Sequence, residues 1–107
     1  MDILQQCQKW HEEDKFQKII DALEAIPAQE RTPEIDMELA RAYNNLGAPS
    51  NRPLLKKAIA LLKPHEEYFQ GDHNWNFRMG YSYYYLDQGG RALPYFHKAL
   101  ELSLIHI

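Results

Sequence analysis

The chain has 107 residues, of which 45% are hydrophobic, 25% charged and 12% aromatic, a composition that excludes collagen-like and low-complexity proteins. Its formal net charge of −3 lacks the basic excess typical of nucleic-acid-binding proteins, so no nucleic-acid partner is expected. The single cysteine, Cys7, cannot form an internal disulfide and fits a reducing compartment. No secretory leader and no apolar run of membrane-spanning length is visible, so we expect a cytoplasmic protein without a membrane partner.

Apolar residues recur at spacings of three and four along most of the chain, which predicts helices and no strands. Six helices are predicted, at residues 2–10, 13–26, 33–46, 53–70, 73–86 and 89–103. The third is expected to begin with Thr32 as its N-cap and Pro33 in its first turn. Pro64 lies inside the fourth, where the loss of a backbone hydrogen bond predicts a kink or a break. Gly89 and Gly90 are assigned to the turn between the last two helices.

Segments of the chain repeat at a step of about 40 residues. Residues 43–47 (YNNLG) end the third helix as residues 83–87 (YYYLD) end the fifth. The stretch 20–27 matches 97–104 at an alanine, a leucine and a glutamate. A helix–turn–helix unit is therefore used three times, at about 1–27, 33–70 and 73–103. Because each helix pair leaves one face uncovered, the three pairs are expected to stack into a single α-solenoid domain.

The third unit resembles a tetratricopeptide repeat of the bacterial type through Met79, Gly80, Tyr83, Leu86, Ala92, Phe96 and Ala99. The second unit is similar mainly in its first helix, and the first unit mainly in its second helix. The resemblance implies an all-α, right-handed superhelix whose first helices line a concave, peptide-binding groove. Tetratricopeptide proteins usually continue with a polar capping helix, so residues 104–107 are interpreted as a truncated or non-native tail.

No catalytic, cofactor-binding or metal-binding residues are predicted, and we expect a protein that is not an enzyme. The five histidines lack the spacing of a metal site, and His11 and His65 are interpreted as solvated residues at helix ends. Cys7 is interpreted as a small buried side chain because no base is placed to activate it as a nucleophile.

Carried over by position, the resemblance implies a partner-binding groove lined by Arg41, Asn44, Asn45, Asn74, Phe77, Arg78, Tyr81, Tyr84 and Tyr85. Cys7 and Gln8 would contribute from the first unit. Tyrosine and arginine dominate interface hot spots, and asparagine can both donate to and accept from a peptide backbone. An alternative for Phe77 and Tyr81 is that they belong to the core between repeats. The first unit lacks the lysine and asparagine with which some relatives clamp a chaperone's acidic C-terminal tail, so no such clamp is expected.

Three functions follow as hypotheses. The first is a module that binds a peptide or protein segment in the groove. The second is a homo-oligomer formed through an uncapped sixth helix, whose candidate contacts are Leu93, Tyr95, Leu100, Leu102, Leu104 and Ile105. The third is a regulatory or immunity protein that docks on an enzyme, because residues 19–27, 30–31 and 39–45 resemble bacterial tetratricopeptide proteins, some associated with toxin–immunity systems.

Overall fold

The computed structural model describes the backbone of residues 2–105 and the side chains of residues 2–103. Over that range the chain forms six α-helices and no strand, as the apolar spacing predicts. The helices are α1 (Ile3–Glu12), α2 (Phe16–Glu24), α3 (Pro33–Gly47), α4 (Arg52–Leu62), α5 (His73–Tyr85) and α6 (Gly89–Ile105). Short 3₁₀ turns follow α2 at Ala28–Glu30 and α4 at Lys63–His65. None of the described helices is long and apolar enough to cross a membrane.

Side-chain caps fix where α3 and α5 begin. The hydroxyl of Thr32 accepts a hydrogen bond from the backbone N–H of Ile35 at 3.2 Å, and Pro33 is the first residue of α3, as predicted. Asp72 caps α5 in the same way, accepting from the backbone N–H of Trp75 at 3.0 Å. These caps pair backbone N–H groups that have no partner within their own helix.

The fourth helix is shorter than the predicted 53–70, and this part of the prediction is wrong. The α-helix ends at Leu62, and Pro64 lies in the 3₁₀ turn that follows, so the expected break is confirmed. The backbone carbonyl of Leu62 accepts a hydrogen bond from the indole Nε1 of Trp75 at 2.9 Å. A side chain of α5 therefore takes the place of a helical partner at the end of α4.

The turns that follow α1 and α5 each contain an aspartate in the left-handed region. Asp14 has φ of 57° and Asp87 has φ of 62°, a conformation that aspartate tolerates better than most residues. Gly89 and Gly90 open α6, at the residue where the sixth helix was predicted to begin, and they follow the second turn directly. The reversal between α5 and α6 therefore depends on Asp87 and not on a glycine.

Each helix packs against the next in the chain, and α3 also packs against α1 and α5. The fully buried side chains include Ile19, Leu23, Leu39, Leu55, Leu62, Trp75 and Met79. Gly80 permits a close contact between α5 and α6, because a Cβ atom at this position would lie 2.7 Å from Cδ1 of Phe96. The packing brings the first helices of the three pairs, α1, α3 and α5, next to one another.

Candidate partner-binding surface on α1, α3 and α5

The predicted groove residues on α3 and α5 meet at a polar cavity of about 270 Å³, which we call the arginine pocket. Its lining consists of Met37, Glu38, Arg41, Asn74 and Arg78. Three of the nine residues assigned to the groove therefore line one cavity although they come from two helices: Arg41, Asn74 and Arg78. Arg41 and Arg78 supply two positive charges to the pocket, and Glu38 supplies one negative charge.

Arg78 is half-buried and has few polar partners. One guanidinium nitrogen donates to Oδ1 of Asn45 at 3.1 Å, and the guanidinium carbon lies 5.2 Å from the ring centre of Phe77 and 5.6 Å from that of Tyr81. No carboxylate within the described part of the chain lies within 4 Å of it. Burial, and secondarily the charge of Arg41, lower the pKa of Arg78 to about 10. The structure therefore holds a partly desolvated cation without an acidic partner.

Glu38 connects the arginine pocket to α1. Its Oε2 lies 2.9 Å from Nε2 of His11 and 3.8 Å from a guanidinium nitrogen of Arg41. The first contact lacks the alignment of a hydrogen bond and the second is too long for one, so this oxygen has no hydrogen-bond partner among the described residues. The His11 side chain is 2% exposed, which contradicts its interpretation as a solvated helix-end residue. It faces Glu38 because α1 packs against α3.

Tyrosines continue the surface along α5 beyond Arg78. The ring centres of Tyr81 and Tyr85 are 4.9 Å apart, and those of Tyr84 and Tyr85 are 5.0 Å apart. Tyr84 is 56% exposed, so most of its ring faces solvent. A cavity of about 490 Å³, the tyrosine pocket, is lined by Pro49, Ser50, Arg52, Tyr84, Tyr85, Asp87 and Gly89. Residues of the loop between α3 and α4 therefore form one wall of this pocket.

Asn44 does not belong to the exposed surface, and its assignment to the groove is corrected. It is fully buried between α3 and α5, where its Nδ2 donates to Oγ of Ser82 at 2.6 Å. The register of α3 turns Asn45 towards Arg78 and turns Asn44 into the interface with α5. Phe77 is 40% exposed and lies against Phe96 as well as Arg78, so it contributes to both the surface and the packing of α6.

The residues proposed for self-association do not form one exposed face. Leu93 and Leu100 are 54% and 61% exposed, as that hypothesis requires. Tyr95 instead stacks on Tyr83, with ring centres 5.8 Å apart, and Leu102 is only 9% exposed, so both are corrected to packing residues. The side chains of Leu104 and Ile105 lie outside the described residues. A mainly apolar cavity of about 260 Å³ lies beside Leu100, between α5 and α6.

The other chemically reactive side chains are engaged in packing or ion pairs. Cys7 is fully buried, and burial together with the nearby charge of Glu38 raises the pKa of its thiol to about 11, so it stays protonated at neutral pH. His65 is not a solvated helix-end residue, because its Nε2 contacts Oδ2 of Asp36 at 2.7 Å. In the part of the chain that the structure describes, no group of three or more His, Cys, Asp or Glu side chains is arranged to hold a metal ion.

Sequence reasoning missed Met37 and Glu38 on this surface and the buried His11 that Glu38 contacts. It also missed the loop that forms one wall of the tyrosine pocket. A signal for Glu38 was present, since it precedes Arg41 by three residues and therefore shares its helix face. The contact of His11 with Glu38 had no such signal, because it depends on how two helices far apart in sequence pack.

Comparisons with protein-family models, with curated proteins and with solved structures find no match for this chain.

Proposed function

We propose that this protein is a non-enzymatic interaction module, and that an extended protein segment binds along the surface formed by α1, α3 and α5. In this proposal the three helix pairs form a tetratricopeptide-like, right-handed stack, with the first helix of each pair on the concave side. The packing of α3 against both α1 and α5 supports that arrangement.

Arg78 is the observation that carries the proposal. Its guanidinium has one hydrogen-bond acceptor among the described residues, Asn45, whereas a guanidinium has five N–H donors. A half-buried cation with unfilled donors is costly to hold in a fold, and a partner that supplies acceptors would lower that cost. Tyrosines beside it supply rigid aromatic area of the kind that dominates protein interfaces.

The arginine pocket and the tyrosine pocket share α5, so a short extended segment is long enough to span both. Tyr85 follows Arg78 by seven residues on α5, a rise of roughly 10 Å along the helix. An extended chain advances about 3.3 Å per residue and its side chains alternate between two faces, so side chains two or four positions apart, about 7 or 13 Å, point to one face and bracket this rise.

A selection of random linear peptides displayed on phage tests the proposal. Peptides are selected on the wild-type protein, and their affinities are then measured by fluorescence anisotropy for the wild type and for Arg78→Met. We expect Arg78→Met to weaken binding about tenfold or more, because charge-assisted hydrogen bonds are lost. Lys56→Ala, on the exposed side of α4, is the matched control and leaves the affinity unchanged. Selected peptides that bind Arg78→Met as well as the wild type would contradict the proposal.

Self-association is the second candidate function, and the exposure of Leu93 and Leu100 on α6 favours it. Light scattering over a range of protein concentrations tests it. A mass that rises with concentration in the wild type, and does not rise in Leu93→Gln/Leu100→Gln, supports an oligomer formed through α6. A monomer mass at every concentration contradicts it.

A further inference from the structure

A second cavity with two basic side chains in its lining lies between the end of α4 and α6. Its volume is about 330 Å³, and its lining consists of Lys63, Tyr83, Arg91, Pro94 and Tyr95. We call it the α6 pocket, and it shares no residue with the arginine pocket or the tyrosine pocket. None of its lining residues is acidic, so the cavity carries two positive charges in a chain whose net charge is −3.

Neither cation of the α6 pocket has an acidic partner. Over the described part of the chain, no carboxylate lies within 4 Å of the Lys63 ammonium or the Arg91 guanidinium. The guanidinium carbon of Arg91 lies 6.0 Å from the ring centre of Tyr83, at the outer limit of a cation–π contact. Arg91 also stands in the first turn of α6, which contains no acidic residue, and the positive end of the helix dipole disfavours a cation there. An anion held between Lys63 and Arg91 would offset this repulsion.

Two tyrosine hydroxyls at the α6 pocket lack partners as well. The hydroxyls of Tyr43 and Tyr68 donate to glutamates, whereas those of Tyr83 and Tyr95 have no hydrogen-bond partner among the described residues. A phenol hydroxyl can donate to an oxygen of an anion. The pocket therefore combines two unpaired cations with two further donors, and it contains no acceptor that would repel an anion.

A layer of aromatic rings fixes the walls of the α6 pocket. The indole of Trp75 donates to the carbonyl of Leu62 at 2.9 Å, which anchors the backbone directly before Lys63. The same indole lies 5.9 Å from the ring of Tyr95, and Tyr95 stacks on Tyr83 with an angle of 18° between the rings. The end of α4, α5 and α6 are thereby held together beneath the cavity. A ligand would meet walls that are already in place, which lowers the entropic cost of binding.

We infer that the α6 pocket binds the phosphoryl group of a phosphate monoester, with Arg91 and Lys63 as its ionic partners. A phosphate monoester carries a charge of about −1.5 to −2 at pH 7 and three terminal oxygens, whereas a carboxylate has a single charge and two oxygens. The former therefore matches two cations and two hydroxyls better. Pro94 and the tyrosine rings provide apolar surface for the organic group that carries the phosphate. This second site goes beyond the proposed function, which concerns the surface of α1, α3 and α5.

Nuclear magnetic resonance titration of the full chain provides the test, with the arginine Nε–Hε signals and the backbone amides of α6 as the readout. The first probe is N-acetyl-O-phosphotyrosine amide, which represents a phosphate carried by a protein, and the second is adenosine monophosphate, which represents a free phosphate monoester. The tighter of the two identifies the source of the phosphoryl group. N-acetyltyrosine amide is the uncharged control, and acetate is the carboxylate control.

Substitutions of the two cations separate a built site from general charge attraction. We expect Arg91→Gln and Lys63→Gln each to weaken binding of the phosphate probes about tenfold, because charge-assisted hydrogen bonds are lost. Lys98→Gln is the matched control variant. It makes the same change of charge at an exposed residue of α6 that does not line the α6 pocket, and it should bind the probes as the wild type does. Arg91 and Lys63 are both exposed, so their variants should fold, and an amide spectrum with the wild-type dispersion checks this.

Saturable binding of a phosphate probe that Arg91→Gln and Lys63→Gln weaken, and Lys98→Gln does not, supports the inference. Equal weakening by all three variants would overturn it, because the attraction would then depend only on total charge. Acetate binding as tightly as the phosphate probes would overturn the preference for a phosphoryl group. The absence of saturable shifts with either phosphate probe at millimolar concentration would overturn the site itself. The proposed function is tested separately, because Arg78 does not line the α6 pocket.

Discussion

The amide of Asn44 and the hydroxyl of Ser82 form a buried hydrogen bond that joins α3 to α5. Nδ2 of Asn44 lies 2.6 Å from Oγ of Ser82, and both side chains are fully buried. The Ser82 hydroxyl in turn donates to the backbone carbonyl of Arg78 at 2.9 Å. Since Arg78 lines the arginine pocket, this contact fixes the position of α5 relative to α3 close to the candidate site.

Removing the Ser82 hydroxyl is expected to destabilise the protein. Ser82→Ala leaves the amide of Asn44 buried without its acceptor, at a cost of about 1–3 kcal/mol in the free energy of unfolding. Urea unfolding of the single variants and of Ser82→Ala/Asn44→Ala gives the coupling energy between the two side chains. Additive effects of the two substitutions would show that the hydrogen bond does not contribute to stability.

Gly80 and Gly90 are expected to respond in opposite directions to alanine. At Gly80 the added methyl group would lie 2.7 Å from Cδ1 of Phe96, so Gly80→Ala must displace the Phe96 ring or push α5 and α6 apart, at a cost of about 1–3 kcal/mol. At Gly90 nothing lies within 4 Å, so Gly90→Ala should be neutral or stabilise α6 by up to about 1 kcal/mol. Thermal unfolding followed by circular dichroism compares the two. Equal melting temperatures for Gly80→Ala and the wild type would contradict the close contact.

Asp36 is expected to be the acidic residue on which stability depends most. Its Oδ1 contacts Nε of Arg31 at 2.7 Å and its Oδ2 contacts Nε2 of His65 at 2.7 Å, with all three side chains mostly buried. Asp36→Ala removes a carboxylate that connects the α2–α3 segment, α3 and the turn after α4, and should cost about 3 kcal/mol in urea unfolding.

Asp87 supplies the matched control for Asp36. Its side chain is 91% exposed and lies 3.4 Å from Arg52, so Asp87→Asn should change the free energy of unfolding by less than about 1 kcal/mol. Asparagine also tolerates the left-handed backbone at this position. Comparable losses in the free energy of unfolding for Asp36→Ala and Asp87→Asn would contradict the distinction between a buried and an exposed ion pair.

Arg78 should matter more for binding than for stability. Arg78→Met keeps an unbranched side chain against Phe77 and Tyr81. It removes a guanidinium group whose pKa is lowered to about 10 by burial. The lost hydrogen bond to Asn45 is offset by the relief of that desolvation, so we expect a change of less than about 1 kcal/mol in urea unfolding. A large loss of stability would show that Arg78 is chiefly a structural residue.

Helical periodicity predicts the six helices because each buries one apolar stripe, but it predicts the end of α4 poorly. Phe69 is buried and extends the apolar pattern beyond Pro64, although the residues after the 3₁₀ turn are not helical. Its burial results from tertiary packing, which a helical pattern cannot distinguish from a longer helix. The break at Pro64 was predictable because proline acts locally on the backbone.

The candidate site was predictable where it depends on position along one helix and not where it depends on contacts between helices. Arg78, Tyr81 and Tyr85 share a face of α5, and that face is exposed or half-buried as expected. Asn44 was misassigned because its hydrogen-bond partner, Ser82, lies 38 residues away in the sequence. A polar residue whose partner cannot be inferred from nearby residues is expected to be exposed to solvent. The contact of His11 with Glu38 was missed for the same reason, since the two residues lie on different helices.

Backbone amide shift mapping with the tightest selected peptide tests most directly whether a partner segment binds along α1, α3 and α5. We predict that the largest shifts fall in residues 37–45 of α3 and 74–85 of α5, with small shifts in α2 and α4. Shifts confined to α2, α4 and α6, or no shifts at saturating peptide, would contradict the claim.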